Sequence, residues 1–356
     1  MDKDLLLFLG YARADYNQTK LILDLYNNFE DLKEDKMSLI LKANTKLYEK
    51  LNKRIDKFDS SSYKEYLWKK NIRYVDLDDK AYPRNLRYIE DPPFLLYYIG
   101  NLTEDFNESI AVVGARKCSQ YGDYACKKIC RELCDYNIPI ISGLALGVDK
   151  ISHSVCLENN NHTLAVLGCG IDKIYPKSNR RVFESMYTNE KAVIVSEYPP
   201  GTEPLPFNFP FRNRIIAGIS LATVVVEAKD HSGTLITASH AINQGKDVFA
   251  IPGNINSVYS QGTNQLIKDG AFLLTDVKDI ITQIKEFQDK YIQKPNIDID
   301  LDELEEKLIN LISESPKSPD ELTLLTREDI SNVLMKLTKL ELLGLITEIG
   351  SKYSLR

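Results

Sequence analysis

Seven short apolar runs, rich in β-branched residues, follow one another between residues 108 and 287, and each ends in a polar or glycine-containing loop. Helical stretches such as "YGDYACKKICRELCDYN" and "LITASHAINQG" separate most of them. Apolar strands that alternate with helices are typical of a parallel sheet buried on both faces. The pattern therefore predicts an α/β fold with a Rossmann-like, doubly wound, mostly parallel sheet. The runs are "SIAVVGA", "IPIISGLA", "TLAVLGCG", "AVIVSEY", "ATVVVEA", "DVFAIPG" and "AFLLT".

The flanking regions have different patterns. Residues 1–105 combine helical periodicity with an aromatic, proline-containing stretch, which predicts a small helical domain and an extended arm packed on the core. The Rossmann-like core is expected at 106–287, and the polar segment 288–300 is expected to be a linker. Three helical segments and a short β-hairpin in 301–356 predict a winged helix.

Composition excludes several classes of protein. The apolar runs are too short to cross a bilayer, and the N-terminus carries acids where a signal peptide has a basic flank, so a cytoplasmic protein is expected. All six cysteines lie between 118 and 169, within the predicted core, which favours reduced thiols over a disulfide framework. Cys126, Cys130 and Cys134 share one helix face and are interpreted as core residues, so no metal site is assigned.

The loops that follow the strands carry the residues with binding chemistry. Ligands of an open parallel sheet bind beyond the carboxyl ends of its strands. Several of these loops combine glycine, hydroxyl residues and a cation, which together favour phosphate: backbone N–H groups approach closely, hydroxyls donate, and arginine adds two parallel donors. We therefore expect a phosphate-binding rim, although the net charge of −6 speaks against a generally basic surface.

The familiar nucleotide motifs are incomplete. "GCGIDK" lacks the third glycine of a dinucleotide fingerprint, and no G-x-x-x-x-G-K-[ST] sequence is present, so no cofactor is expected. "HSGTLITASHAI" places Ser232, Gly233 and Thr234 at the start of a helix, either as phosphate donors or as an ordinary N-cap with a tight turn. His231 before them is either a catalytic base or a polar loop residue.

Two carboxylates stand at strand ends. Glu197 and Glu227 would form a pair for acid–base chemistry, or one or both would support an arginine of the rim. The second interpretation is favoured because arginines are plentiful there.

Taken together, the loops resemble the family of DNA-processing protein A (DprA). The matching stretches run in order from about residue 109 to 275 and are "VVGARKCSQYG", "ISGLALGVDKISH", "LGCGIDKIYPKSN", "VSEYPPGTEPLPFNFPFRNRIIAG", "VVVEAKDHSGTLITASHAINQGKDVFAIPG" and "SQGTNQLIKDGA". The resemblance implies a protein that is not an enzyme, binds single-stranded DNA in a basic pocket of a Rossmann-like core without a dinucleotide, and loads RecA recombinase onto that DNA during natural transformation. It also implies a homodimer formed through the core, and an N-terminal helical domain of the SAM or helix-hairpin-helix kind.

Position by position, the resemblance assigns the pocket cations to Arg116 and Lys177 and the arginine-rich segment to Arg212, Asn213 and Arg214. Ala115 stands where many relatives have serine, which removes one hydroxyl. Our hypothesis is that Arg116, Lys177, Arg212 and Arg214 hold successive phosphates, with the alternative that Arg212 or Arg214 faces supporting acids and braces the loop. Nearby aromatic residues, Phe211 included, are expected to stack on bases or simply to pack in the protein. The full predicted DNA-binding set is Gly114, Arg116, Tyr121, Ser142, Gly143, Lys173, Tyr175, Lys177, Phe209, Arg212, Asn213, Arg214, Ser232, Gly233 and Thr234.

Two other functions stay open at this point. Rossmann-like nucleotide-monophosphate phosphoribohydrolases also have a glycine-threonine phosphate loop, and Glu197 or Glu227 would then act at the ribose. Alternatively, the chain is a protein-interaction scaffold.

The flanking domains are not basic. Residues 301–356 hold 7 Lys/Arg and 11 Asp/Glu, a net charge of −4, so we expect the winged helix to contact protein or to bind duplex only weakly. Residues 1–90 are near charge balance, which leaves a secondary DNA role open.

Overall fold

The computed structural model describes residues 1–35, 37–291, 301–342 and 345–355. The chain forms two compact units, Met1–Ile292 and Gln293–Arg356. The first unit contains all of the elements up to α14, and the second contains the remaining helices and one hairpin.

Six helices form the N-terminal part of the first unit. Most of them begin at a side chain that accepts a hydrogen bond from the first turn, and Asp15 and Gln18 form a capping box at the start of the second helix. Their shared core is aromatic, with Phe8 packed against Phe29 and Phe58. The helices are α1 (Lys3–Tyr11), α2 (Tyr16–Leu25), α3 (Phe29–Glu34), α4 (Ser38–Ala43), α5 (Thr45–Ile55) and α6 (Ser60–Lys69).

A nine-stranded sheet forms the rest of the unit, and the seven predicted strands are all present. The strands are β1 (Arg73–Asp76), β2 (Leu95–Ile99), β3 (Ile110–Val113), β4 (Ile140–Ser142), β5 (Thr163–Val166), β6 (Ala192–Ser196), β7 (Ala222–Val225), β8 (Asp247–Ala250) and β9 (Phe272–Leu273). Their spatial order is β1-β2-β6-β5-β4-β3-β7-β8-β9. The seven strands from β3 onward are parallel, whereas β2 runs antiparallel to β1 and β6. The prediction of a doubly wound, mostly parallel sheet is confirmed.

Helices cover both faces of this sheet. Alternate residues of β3 enter different apolar clusters, Ile110 and Val112 on one face and Ala111 and Val113 on the other, as the two-residue repeat of a strand requires. The helices are α7 (Gln120–Asp135), α8 (Val148–Glu158), α9 (Arg180–Thr188), α10 (Asn208–Ile219), α11 (Gly233–Asn243), α12 (Gln261–Lys268), α13 (Val277–Gln283) and α14 (Lys285–Tyr291). Short 3₁₀ turns occupy Asn85–Tyr88, Glu104–Glu108 and Lys177–Asn179.

The order of the strands reverses between β3 and β7. From β3 the chain proceeds to β4, β5 and β6 on one side, and it then returns to place β7 on the other side of β3. The loops after β3 and β7 therefore diverge to opposite faces and leave a crevice at the carboxyl ends of the strands.

Two segments differ from the sequence expectation. The predicted arm does not merely pack on the core, because its strands β1 and β2 extend the sheet itself, with Tyr98 opposite Val195 of β6. The predicted linker at 288–300 begins inside α14, which continues to Tyr291 because Phe287 is buried and the Tyr291 ring packs against Tyr136. The remaining linker residues lie outside the described residues.

The second unit has the predicted winged-helix elements. Helices α15 (Glu303–Glu314), α16 (Pro319–Thr326) and α17 (Ile330–Leu342) precede the antiparallel strands β10 (Ile346–Ile349) and β11 (Lys352–Leu355). Capping boxes that begin at Asp302 and Ser318 define the first two helix starts. Among the described residues of the whole chain, we find no helix with the length and apolar character needed to cross a membrane.

Candidate functional site

A pocket of about 520 Å³ lies at the reversal point of the sheet, between the loops that follow β3 and β7. The start of α10 forms part of its wall. Eight of the fifteen predicted DNA-binding residues line it: Gly114, Arg116, Phe209, Arg212, Asn213, Ser232, Gly233 and Thr234. The structure thus gathers half of the predicted set at the place where an open sheet binds its ligands.

The loop after β3 presents two exposed cations to this pocket, Arg116 and Lys117. The guanidinium carbon of Arg116 lies 5.9 Å from the centre of the Phe209 ring. Gly114 lets this loop pass close to α8, because a Cβ at that position would lie 2.6 Å from the Val148 side chain. The loop therefore packs closely on α8, and its two cations line the pocket.

Arg212 forms part of the pocket floor and is only 4% exposed. Its Nη1 donates to the carbonyl oxygens of Gly143, at 2.9 Å, and of Val166. Its Nε donates to Asn213 Oδ1 at 3.2 Å. Its Nη2 lies against Gly143 and makes no hydrogen bond within the described part of the chain, so this nitrogen keeps its capacity to donate.

A buried carboxylate, Asp149, lies beside Arg212 on the first turn of α8. Burial raises the pKa of Asp149, while Arg212 and the backbone N–H groups of Ala145 and Gly143 lower it. These N–H groups donate to Asp149 Oδ2 at 3.3 and 3.1 Å. Burial lowers the pKa of Arg212 and Asp149 raises it, and a guanidinium keeps its charge at neutral pH. Asp149 thus balances part of the buried charge, and it is the one carboxylate among the described residues that line the pocket.

The N-terminus of α11 forms the opposite wall. Ser232, the N-cap residue, makes no capping hydrogen bond, and its Oγ is buried without a partner among the described residues. Gly233 leaves open space at the helix start, since a Cβ there would meet nothing within 4 Å. Asn213 holds this turn from α10 by donating from Nδ2 to the Gly233 carbonyl at 3.4 Å. Free N–H groups and hydroxyls at a helix start are suited to an anion.

Arg214 does not face the pocket, which corrects the expectation that it holds a phosphate. It is 2% exposed, and its Nε and Nη2 lie 2.9 Å from Asp91 and 2.8 Å from Glu197. Its guanidinium also lies 3.9 Å above the Phe211 ring. Asp91 precedes β2 and Glu197 follows β6, so Arg214 fastens α10 to two neighbouring segments and acts as a brace.

The other predicted residues lie outside the pocket lining. The Ser142 hydroxyl is buried and donates to the Val112 carbonyl, and the Tyr121 hydroxyl donates to the Pro252 carbonyl. Gly143 lies under the Arg212 guanidinium. Lys173, Tyr175 and Lys177 follow β5 in one loop: Lys173 pairs with Glu203 at 2.7 Å, the Tyr175 ring packs on Phe209 at 5.2 Å, and Lys177 is exposed.

Neither strand-end carboxylate is free for acid–base chemistry. Glu197 supports an arginine, as the favoured interpretation expects. Glu227 does not: it is 1% exposed and accepts hydrogen bonds from the backbone N–H and hydroxyl of Ser119, where it helps to cap α7. His231 is 94% exposed, and its imidazole contacts only the neighbouring Asp230 among the described residues. The geometry therefore gives the phosphoribohydrolase hypothesis no support.

The six cysteines are free thiols, and five of them are buried. Cys126, Cys130 and Cys134 line the face of α7 that packs against the sheet, as predicted.

Ten of the eighteen lining residues are not in the predicted set, and those with charged or aromatic side chains are Lys117, Asp149, Lys229 and Tyr259. Lys117 and Lys229 stand in the loops that follow β3 and β7. Phosphate-binding chemistry is expected in such loops, so the positive charge of these two residues could have identified them. Tyr259, whose ring lies 4.8 Å from the Lys229 ammonium, follows β8 in a loop that returns to the pocket only through long-range packing.

Comparison with known proteins agrees with this architecture. A model of the family described as DNA recombination-mediator protein A matches residues 73–285, and a model of the DprA winged helix domain matches residues 293–350. The first match begins at β1, which agrees with the sheet that the structure shows.

Individual relatives are similar over large parts of their length. DNA processing protein DprA of Streptococcus pneumoniae is 44% identical over 207 residues, which cover 58% of this chain and 72% of that protein. Protein Smf of Synechocystis is 33% identical over 350 residues, 87% of each chain.

Two solved structures are also similar. The crystal structure of DprA from Streptococcus pneumoniae aligns with a TM-score of 0.67 at 34% identity, covering 80% of this chain and 99% of that one. The structure of DNA processing protein A from Helicobacter pylori, which is described as giving insight into a single-stranded DNA binding mode, aligns with a TM-score of 0.53 at 30% identity. The alignment covers 59% of this chain and 94% of that one. Because the first family model spans more than half of the 356 residues, the chain belongs to the family of DNA recombination-mediator protein A.

Proposed function

We propose that this protein binds single-stranded DNA, and that the pocket at the reversal point of the sheet holds its phosphates. The observation that carries the proposal is the local charge. Four cations and one carboxylate are found among the described lining residues, namely Arg116, Lys117, Arg212, Lys229 and Asp149, in a chain whose net charge is −6. A cationic concavity in an acidic protein concentrates a polyanion there and not elsewhere.

The cations have different tasks in this proposal. Arg116 and Lys117 are exposed and contact successive phosphates, since they can follow a mobile backbone. Arg212 is fixed by two carbonyl groups and presents Nη2 to one phosphate. The N-terminus of α11 adds Ser232 and Thr234 as neutral donors. Arg214 acts indirectly, because it holds α10 in place.

Aromatic residues beside the pocket give a reason to prefer a single strand. Phe209 lines the pocket, and Tyr175, 42% exposed, packs on it. Unpaired bases stack on such rings at about 1–3 kcal/mol per base, whereas the bases of a duplex are already stacked on one another. The Helicobacter pylori relative, which is described as binding single-stranded DNA, supports the same choice.

The wider function follows the family. We propose that the protein acts without catalysis in natural transformation and recombination, where it delivers single-stranded DNA to the RecA recombinase in the cytoplasm. A homodimer through the core is part of the proposal. It is supported by β9, which is the last strand of the sheet and carries the exposed apolar residues Phe272 (38% exposed) and Leu273 (49% exposed). An apolar strand at an open edge is suited to pairing with a second copy.

Fluorescence anisotropy with a labelled oligonucleotide tests the DNA-binding proposal. The single strand should bind more tightly than a duplex of the same sequence, because only unpaired bases reach the rings. Equal affinity for the two forms, or no binding to either, would contradict it.

A further inference from the structure

A second groove, of about 430 Å³, lies between the N-terminal helices and the loop after β6. It is lined by three tyrosines, two arginines and a pair of prolines, and we consider six of these residues: Tyr11, Arg13, Arg54, Tyr63, Tyr66 and Pro199. All of them belong to the compact unit that also contains the core pocket. The site proposed above uses none of them.

The tyrosines form a connected aromatic surface. The rings of Tyr63 and Tyr66 are nearly parallel, with centroids 6.2 Å apart and an interplanar angle of 14°. Tyr11 meets Tyr63 edge to face at 5.6 Å. Tyr66 is 39% exposed, so a planar ligand can reach it. Exposed aromatic rings of this kind are platforms on which nucleic-acid bases stack without regard to sequence.

Cations accompany these rings. Arg54 lies on α5, a helix of 11 residues with four cations and one acid, in contrast with the net negative charge of the whole chain. Arg13 is exposed, and its Nη2 donates to the Gly201 carbonyl at 3.1 Å. This bond places the Arg13 guanidinium beside the loop after β6, which contains the two prolines of the groove. A groove with both rings and guanidinium groups fits a polyanion with exposed bases.

The loop after β5 connects this groove to the core pocket. At one end Tyr175 packs on Phe209 of the pocket. At the other end Asp172 accepts a hydrogen bond from the Gly201 N–H at 2.7 Å. Burial raises the pKa of Tyr66, and the nearby Asp172 and Lys173 make smaller contributions that raise and lower it, respectively. Of the acids in this region, Glu203 is paired with Lys173, and Asp172 is held in place by the Gly201 N–H.

We infer that a single strand held in the core pocket continues across Tyr175 and Lys173 into the groove, where Tyr63 and Tyr66 stack on its bases and Arg13 and Arg54 hold its phosphates. This inference rests on the proposed function. It assigns to the N-terminal helices a DNA-binding role that extends the site of the core. A duplex does not bind the groove in this way, because its bases are not available to the rings.

Oligonucleotide length separates the two surfaces. A single strand of about 5 nucleotides occupies the core pocket alone, and one of about 20 nucleotides reaches both surfaces. Tyr66→Ala and Arg54→Ala should each weaken binding of the long strand by about tenfold and leave binding of the short strand unchanged. Tyr66→Phe keeps the ring and should restore the affinity. Trp68→Ala is the matched control, since Trp68 is an exposed aromatic residue (79%) on the same helix but outside the groove lining.

A fluorescent base analogue near the far end of the long strand gives a second measurement. Its emission should be quenched by the wild-type protein and by Tyr66→Phe, and it should recover with Tyr66→Ala. Circular dichroism and thermal unfolding confirm that each variant is folded. The inference is overturned if folded Tyr66→Ala and Arg54→Ala bind the long strand as tightly as the wild type, or if they weaken both strands equally.

The outcomes distinguish this inference from the function on which it rests. If the wild-type protein binds neither strand, or if Arg116→Ala leaves the short-strand affinity unchanged, the proposed function fails and the inference fails with it. If the short strand binds in an Arg116-dependent way while the groove variants have no effect on the long strand, only the inference fails.

Discussion

Arg212 and Arg214 stand two positions apart on α10, but their guanidinium groups make different contacts. Arg212 lines the pocket, donates to the carbonyls of Gly143 and Val166, and has one nitrogen, Nη2, without a hydrogen bond among the described residues. Arg214 is enclosed by Asp91, Glu197 and the Phe211 ring. Positions i and i+2 of a helix point about 200° apart, so a ligand-facing residue and a brace alternate over a single turn.

The exposed arginine of the pocket should contribute one phosphate contact to the electrostatic part of binding. Arg116→Ala should weaken single-strand binding about tenfold, the scale of one charged hydrogen bond, and should reduce the log–log salt slope by about 0.7, the value for one neutralised phosphate. Titrations at several salt concentrations measure both quantities. Lys278→Ala removes an exposed cation of α13 that does not line the pocket and serves as the control. An unchanged slope for Arg116→Ala would show that this residue contacts no phosphate.

Gly143 should be needed for the position of Arg212. A Cβ at residue 143 would lie 2.5 Å from Arg212 Nη2, so Gly143→Ala must displace the guanidinium. We expect weaker single-strand binding with no change in net charge, and a salt slope reduced as it is in Arg212→Ala. Anisotropy titrations of the two single variants and the double variant test this, because variants that act through the same group are not additive. Additive losses would place the effect of Gly143 elsewhere.

The brace should contribute strongly to stability. Glu197→Gln leaves the Arg214 guanidinium buried with only part of its partner charge, and removal of one member of a buried ion pair costs about 3 kcal/mol in the free energy of unfolding. Urea unfolding measures this loss. Glu65→Gln breaks the exposed pair with Lys69, whose side chains are 62% and 63% exposed, and should cost less than about 0.5 kcal/mol. Equal losses for the two variants would contradict the assignment of Arg214 as a brace.

A buried histidine should make stability depend on pH in the acidic range. Burial, with a smaller effect of Arg212, lowers the pKa of His153 from 6.5 to about 3. Between these values the unfolded chain binds a proton that the folded chain does not, so the free energy of unfolding decreases as the pH falls from 6.5 towards 3. The contribution of one such group is about 1.4 kcal/mol per pH unit.

Comparison with His153→Asn isolates this contribution from that of the carboxylates. The variant should lose stability less steeply than the wild type over this range in urea unfolding at a series of pH values. If the free energy of unfolding depended on pH equally in the two proteins, protonation of His153 would not destabilise the folded state.

The edge of the sheet should control self-association. Leu273→Lys places a charge on the exposed apolar edge strand β9 and should convert a dimer into a monomer, because a buried lysine at the interface would have no partner. Light scattering during size-exclusion chromatography measures the mass. Lys268→Glu, on the preceding helix, tests whether a charge change alone has this effect. A dimeric Leu273→Lys would locate the interface away from β9.

Much of the fold follows from local sequence. Six of the seven apolar runs became β3 to β8 because short apolar runs rich in β-branched residues favour strands buried on both faces, whereas the seventh run, "AFLLT", became the exposed edge strand β9. The loops after β3 and β7 were placed correctly at the strand ends for the same reason. The strands β1 and β2 were not predicted as part of the sheet, because an aromatic arm pairs with β6 only after the chain has folded back across about 100 residues.

The sequence by itself therefore determined the strands, the helices between them and the loops that reach the rim, since these depend on the spacing of apolar residues and on glycines at strand ends. Only the tertiary structure decided what each rim residue does. Arg214 meets Asp91 across 123 positions and Arg212 meets Gly143 across 69, so neither partner is visible in local spacing. Burial then makes an unpaired charge costly, which is why one arginine had to become a brace while Arg116, still in water, stays available for a ligand.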